Sequence, residues 1–97
     1  MMRLHDTLDS VSDAQSFLVF ARQLALDRVQ ATSLEAENPS NPHGPDAGGW
    51  ENTTIERFLE AAIAWAEATD LGLTQGMPAD NQWKRFATFL YCGKIYE

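Results

Sequence analysis

Two histidines, one cysteine and a row of carboxylates are the side chains in this sequence that could take part in chemistry. A zinc site needs His or Cys ligands that one helical turn or one short loop presents together. His5 stands near the start and His43 in a Pro/Gly-rich stretch, and neither has a His or Cys three or four residues away. Neither nominates a metal. Cys92 is followed by Gly93 and Lys94, and a cationic neighbour lowers a thiol's pKa. It falls, however, at the C-terminal end of a predicted helix, where the dipole disfavours a thiolate, so it reads as a small packing residue. Glu56 and Glu60 lie one turn apart, the arrangement of a general acid–base pair when burial separates the two pKa values. The spacing puts them on a solvent face beside Arg57, so they read as solvated charges. There is no G-x-S-x-G, no Walker loop and no G-x-G-x-x-G, the motifs that present a nucleophile or cradle a phosphate. No catalytic, cofactor-binding or metal-binding residue is nominated, and no cofactor is implied.

The aromatic residues are the remaining signal. Trp65, Trp83, Phe58 and Phe86 fall at core spacing. Trp50 precedes its helix, so it either folds back to fix the entry of the chain, as a hydrophobic staple does, or anchors a partner. Glu51, Glu56, Glu60 and Glu67 run along or beside the exposed side of the same helix. Trp50, Glu51, Glu56, Glu60 and Glu67 are therefore the candidate partner-binding residues.

Charge bounds the partners. The net charge is −7, from fourteen acids and seven bases among 97 residues. Residues 1–49 hold seven acids and three bases, residues 50–97 seven acids and four bases, so the acidity is spread along the chain. Phosphate backbones would repel such a surface, which argues against nucleic acid. The acidity serves solubility or attracts a basic protein. Apolar residues are 44% and charged residues 22%, an ordinary globular composition. A single cysteine makes no internal disulfide, no apolar run suits a signal peptide, and no stretch reaches the ~20 apolar residues of a membrane span. The expected location is the cytoplasm, with no membrane contact; a homo-oligomer is left open.

Three elements would position these residues. Ser12-Asp13-Ala14-Gln15 fits a capping box, and Phe17, Phe20, Ala21 and Leu24 follow at i, i+3, i+4, i+7. The pattern weakens after Leu26, and Thr32-Ser33-Leu34-Glu35, a second possible cap, predicts a break near Thr32. Residues 38–49, with three prolines and three glycines, predict a loop; with no convergent polar constellation, mobility is expected. Thr53, with Asn52 as the alternative, caps a second helix carrying Ile55, Phe58, Leu59, Ala62, Ile63 and Ala66 on one face. Gly72 ends it in a left-handed C′ conformation. Asp80 or Asn81 caps a third helix bearing Trp83, Phe86, Ala87, Leu90 and Tyr91, with Gly93 near its end. Ile95 and Tyr96 are expected to dock on the bundle. No segment alternates as a strand, and residues 4–11 carry no legible pattern.

Trp50-Glu51-Asn52-Thr53-Thr54, then Phe58-Leu59-Glu60-Ala61 with Trp65, then Pro78, Trp83, Ala87, Leu90 and Lys94-Ile95-Tyr96-Glu97 resemble a family of small bacterial proteins known only as a domain of unknown function. The resemblance covers roughly residues 11–97, and its W-E-N and Y-E ends are the most specific parts. This chain departs from it in a longer, Pro/Gly-rich first loop and a shorter second loop without the usual aromatic pair. The resemblance implies a helical domain and supplies no activity.

The expected fold is a single all-α domain over residues 1–97, a three-helix bundle with helices near 13–31, 54–70 and 82–93 that share one core through two Gly/Pro-rich loops. The expected function is a non-enzymatic protein-interaction or regulatory module. A small-molecule binding module lined by Trp50, Trp65 or Trp83 is the alternative, and an enzyme ranks last.

Overall fold

A computed structural model describes residues 3–40 and 44–96. His43, and the expectation of mobility for 41–43, lie outside the described residues. Four α-helices carry the fold: α1 (Leu4–Asp9), α2 (Ala14–Glu37), α3 (Ile55–Thr69) and α4 (Gln82–Ile95). Short 3-10 turns occupy Ala47–Gly49 and Leu73–Gln75. Among the described residues the only β pairing is an isolated bridge between Asp46 and Trp50.

Local chemistry accounts for where each helix begins and ends. Asp13, not Ser12, is the N-cap of α2. Its carboxylate accepts from the Ser16 N–H at 2.8 Å, while the Ser16 hydroxyl accepts from the Asp13 N–H at 3.0 Å, a reciprocal capping box one residue later than expected,. These bonds hold the Asp13 carboxyl below its ordinary pKa, the Ser16 backbone N–H acting first. The expected break near Thr32 is absent. The Thr32 hydroxyl donates back to the Arg28 carbonyl at 3.0 Å, so the second cap signal is spent inside a continuous helix. Thr54 rather than Thr53 caps α3, accepting from the Arg57 N–H at 3.2 Å. Asn81 caps α4 and also donates to the Val11 carbonyl at 3.2 Å, tying α4 to the α1–α2 link.

Helix α3 ends in three consecutive left-handed residues, Asp70, Leu71 and Gly72. Leucine in that region is unusual. It is held there by an Arg85 Nε–H donating to the Leu71 carbonyl at 2.8 Å and by the Gly72 N–H donating to the buried Thr69 hydroxyl at 2.9 Å.

The helices do not close into the expected three-helix bundle. Helix α4 is central: α3 packs along one side of it, α2 and α1 along the other, and α2 scarcely touches α3. The molecule is correspondingly flat, 43 × 29 × 18 Å. Leu8, Val11, Phe20, Leu24, Ala31, Trp50 and Ala87 form the main core, with Phe17, Phe58, Trp83 and Leu90 packed against it. Phe17 meets Trp83 at 5.5 Å between ring centroids. On the other side of α4, Ala61, Ala62 and Trp65 are buried, and the Trp65 Nε1–H donates to Gln75 at 3.0 Å.

Gly93 does not end α4. A Cβ there would lie 2.6 Å from Phe58 Cζ, so the absence of a side chain is what lets α4 receive the Phe58 ring. Nor does Ile95 dock; it is exposed, and the buried residue of the tail is Lys94.

Candidate functional site

Two features on opposite sides of Trp50 are candidates for function, a polar clasp and an apolar groove. The clasp is built by three successive residues. Trp50 is 4% exposed, and its indole N–H donates to Asp27 Oδ2 at 2.9 Å. The Glu51 N–H donates to the Lys94 carbonyl at 3.0 Å. The Asn52 amide donates to the Gly93 and Tyr96 carbonyls at 3.0 and 2.8 Å. These carbonyls belong to the last turn of α4, whose acceptors have no partner within the helix. Asn52, expected as an alternative cap for α3, thus caps the C-terminal end of α4 instead.

Lys94 completes the clasp. It is 7% exposed, with its ammonium 2.7 Å from the same Asp27 oxygen that the indole engages. It also sits 5.5 Å from the Trp50 ring centroid, and the Arg28 guanidinium lies 5.3 Å from it, both within cation–π range. Arg28 reaches Asp46 at 3.4 Å. The arrangement can bond helix ends and bury charge in pairs. No group of three or more metal-ligating side chains occurs among the described residues.

The loop before the clasp is organised by a carboxylate, correcting the expectation that nothing converges there. Glu35 accepts from the backbone N–H and hydroxyl of Ser40 and from the N–H of Ala47. Those donors, the Ser40 hydroxyl foremost, lower its pKa. Burial has the opposite effect on Cys92, pushing its thiol up to about 11, which disfavours the reactive thiolate.

The groove opens where α2 and α3 diverge. It has a volume of about 450 Å³ and is lined by Ala21, Leu24, Ala25 and Arg28 from α2 and by Ile55, Phe58 and Leu59 from α3. Trp50 and Leu90 also line it, and Asn52, Thr53 and Thr54 border it where α3 begins. The strongest apolar period of the sequence, which predicts core positions, includes Ile55 and Leu59, which line the groove, and Ile63, one turn beyond them. They are 78%, 44% and 46% exposed. The apolar stripe of α3 is wider than the surface α4 can cover, and the uncovered part faces the groove.

Of the candidate partner-binding residues, Glu56, Glu60 and Glu67 are exposed on the outer side of α3, and Glu51 is half-buried in the clasp. Trp50 does not project into solvent; it contributes only its groove-facing edge. Of Trp50, Trp65 and Trp83, the alternatives expected to line a pocket, Trp50 lines this groove, with Phe58 beside it.

Asp27 and Lys94 carried a signal that went unused. Each is a charge on the core side of an apolar helical period, Asp27 seven residues after Phe20 and Lys94 seven after Ala87. Two such positions in one chain are the mark of a buried pair.

The model of a family of unknown function, DUF7660, matches residues 13–97. The chain belongs to that family. The match begins at the N-cap of α2 and takes in the clasp and the groove. No curated protein and no solved structure matches the chain. Among the described residues, no helix is long and apolar enough to cross a membrane.

Proposed function

We propose that this member of DUF7660 is a non-enzymatic protein-interaction module that receives an apolar segment of a partner in the α2–α3 groove. The observation that carries this reading is the exposure of Ile55, Leu59 and Ile63 in one line beside a concave, apolar surface. A monomer gains nothing by leaving such a wall in water, whereas interfaces combine an apolar centre with a polar rim. The rim is supplied by Glu56, Glu60 and Glu67. The clasp supports the groove by fixing Trp50, part of its lining, from behind. The unpaired Cys92 fits a reducing compartment such as the cytoplasm.

The test is affinity capture from the native host with the natural chain and with an Ile55→Asp/Leu59→Asp variant. Both positions are exposed, so circular dichroism should show an unchanged fold. Proteins retained by the natural chain and lost by the variant support the reading; an identical set of retained proteins removes the groove from it.

A second reading, a small-molecule site, is favoured by the cavity volume, which falls in the roughly 300–1,000 Å³ range of ligand pockets, and by the polar Arg28, Asn52, Thr53 and Thr54 among its lining. It predicts a compound that protects the folded chain against heat and no retained protein.

A further inference from the structure

We infer that the occupant of the α2–α3 groove is an amphipathic helix of a partner protein, with an apolar stripe along its centre and a basic flank against α3. The inference rests on the reading of the groove as a protein-docking surface and adds the partner's chemistry.

The shape of the site selects a helix. Both walls are α-helices whose backbone groups are bonded within themselves, and the described residues contain no sheet edge. An extended peptide would find no ladder of donors and acceptors there, whereas a helix brings its own backbone bonds and needs only an apolar face. The lining runs from Ala21 to Arg28 on α2 and from Ile55 to Leu59 on α3, and the exposed Leu18, Val29 and Ile63 extend these two lines to about 12–16 Å at 1.5 Å per residue. About three turns of helix cover that length. Leu18 and Val29 are themselves exposed and continue the line of Ala21 and Ala25 along the outer edge of the groove.

Charge selects the flank. At 3.6 residues per turn, Glu56, Glu60 and Glu67 form the strip immediately outside Ile55, Leu59 and Ile63, and all three are exposed. The α2 edge carries Arg22 instead, also exposed, and Arg28 lies in the groove already paired with Asp46. The two edges therefore differ in sign. A docked helix with Lys or Arg toward α3 meets three carboxylates, and one with acidic residues there is repelled. The same three carboxylates disfavour a second copy of this chain that presents its own α3 strip. Its net charge is −7, and its own exposed apolar strip on α3 is bordered by the same three glutamates, so self-docking through that strip sets carboxylates against carboxylates.

The experiment is isothermal titration of the full chain with synthetic helical peptides of about 14 residues. One has a Leu stripe and a Lys flank. A second has the same stripe with a Gln flank, a third the same stripe with a Glu flank, and a fourth is a scramble of the Lys peptide without a stripe. The expected order is Lys above Gln above Glu. Lys should exceed Gln by about tenfold at low salt, the product of two or three rim charge pairs. That ratio should shrink toward unity at about 0.5 M salt, where screening is strong. The Glu56→Lys/Glu60→Lys variant should invert the order. Equal affinities for the Lys and Gln peptides would overturn the basic flank while leaving groove docking in place. A scramble that binds as tightly as the striped Lys peptide would overturn the helical occupant. Stripe peptides whose binding survives Leu59→Asp would overturn the docking surface itself, and with it the reading on which this inference rests. Sedimentation showing dimers that Leu59→Asp dissolves would assign the groove to a second copy and overturn the inference.

Discussion

Helix α4 packs against α3, α2 and α1, whereas α2 and α3 scarcely touch each other, and the chain treats the two situations differently. Where α4 meets the Trp50–Asn52 corner, every element is joined. Phe58 lies against a residue without a side chain, a lysine is buried on an aspartate, and the last carbonyls of the helix receive side-chain and backbone donors. Where α2 faces α3, the two helices scarcely touch, and Ile55 and Leu59 are exposed. The difference separates surfaces that hold the domain together from one that does not. The clasp spends its polar groups on the fold. The groove has apolar groups to spare, and those are what a partner can use.

The sharpest way to break this contrast is Asp27→Ala. It leaves the Lys94 ammonium buried without its carboxylate and the Trp50 indole N–H without its acceptor. Removing one partner of a buried pair costs about 3–5 kcal/mol, so denaturant unfolding should show a large loss of stability. A loss under ~1 kcal/mol would mean that Lys94 escapes to solvent and that the clasp is a surface contact.

Gly93→Ala comes next. A methyl group placed against the Phe58 ring forces α3 and α4 apart, and overpacking of this kind costs about 1–3 kcal/mol. The same substitution would raise helix propensity if α4 had room for it, so a stabilised variant would contradict the close approach.

Asn52→Ala should cost about 1–2 kcal/mol, because it strips donors from two carbonyls at the end of α4. It should also speed amide exchange in the last turn of that helix.

Leu59→Ser, on the groove side, should change stability by no more than about 0.5 kcal/mol, the behaviour of an exposed position. A cost comparable to that at Gly93 would show the groove to be closed in solution.

The smallest effect is in pH. The folded-state pKa values of Glu35 and Asp13 are depressed, so their stabilisation is fully present above the unfolded carboxyl values, near about 4, and is lost as pH falls through the folded values. Protection of the Ser40 and Ala47 amides, measured as exchange relative to the intrinsic rate at each pH, should fall in that acid window and stay constant between pH 5 and 7. Glu35→Gln should lower that protection throughout.

Much of the fold could be read directly from the residues. The periodicities of α3 and α4 located both helices to within two residues, because their apolar stripes are dense and their Thr and Asn caps stand next to them. Helix α2 was placed but cut short, since Thr32-Ser33-Leu34-Glu35 satisfies a local capping rule that the continuous helix overrides through the Thr32 back-bond. Helix α1 was missed, because six residues hold too few periods to register, and its buried Leu8 gains its place only by packing against α2 and α4.

The site was legible only in fragments. Spacing placed Glu56, Glu60 and Glu67 off the apolar face. It could not distinguish Trp50 as staple from Trp50 as anchor, since that depends on Asp27, 23 residues earlier, and on Lys94, 44 residues later.

By itself the sequence determined that this chain is helical and acidic, because caps, periodicity and charge are local or additive properties. Only the tertiary structure decided which part of each apolar stripe is used. A stripe states that a helix has an apolar face; it does not state how wide a neighbour covers it. That width is set by how closely α4 approaches α3 at Gly93 and by how far the Glu35-bound loop and the Trp50 clasp hold α2 from α3. Those contacts join residues tens of positions apart, and they are what leave Ile55 and Leu59 facing an open groove, with Ile63 exposed beyond them.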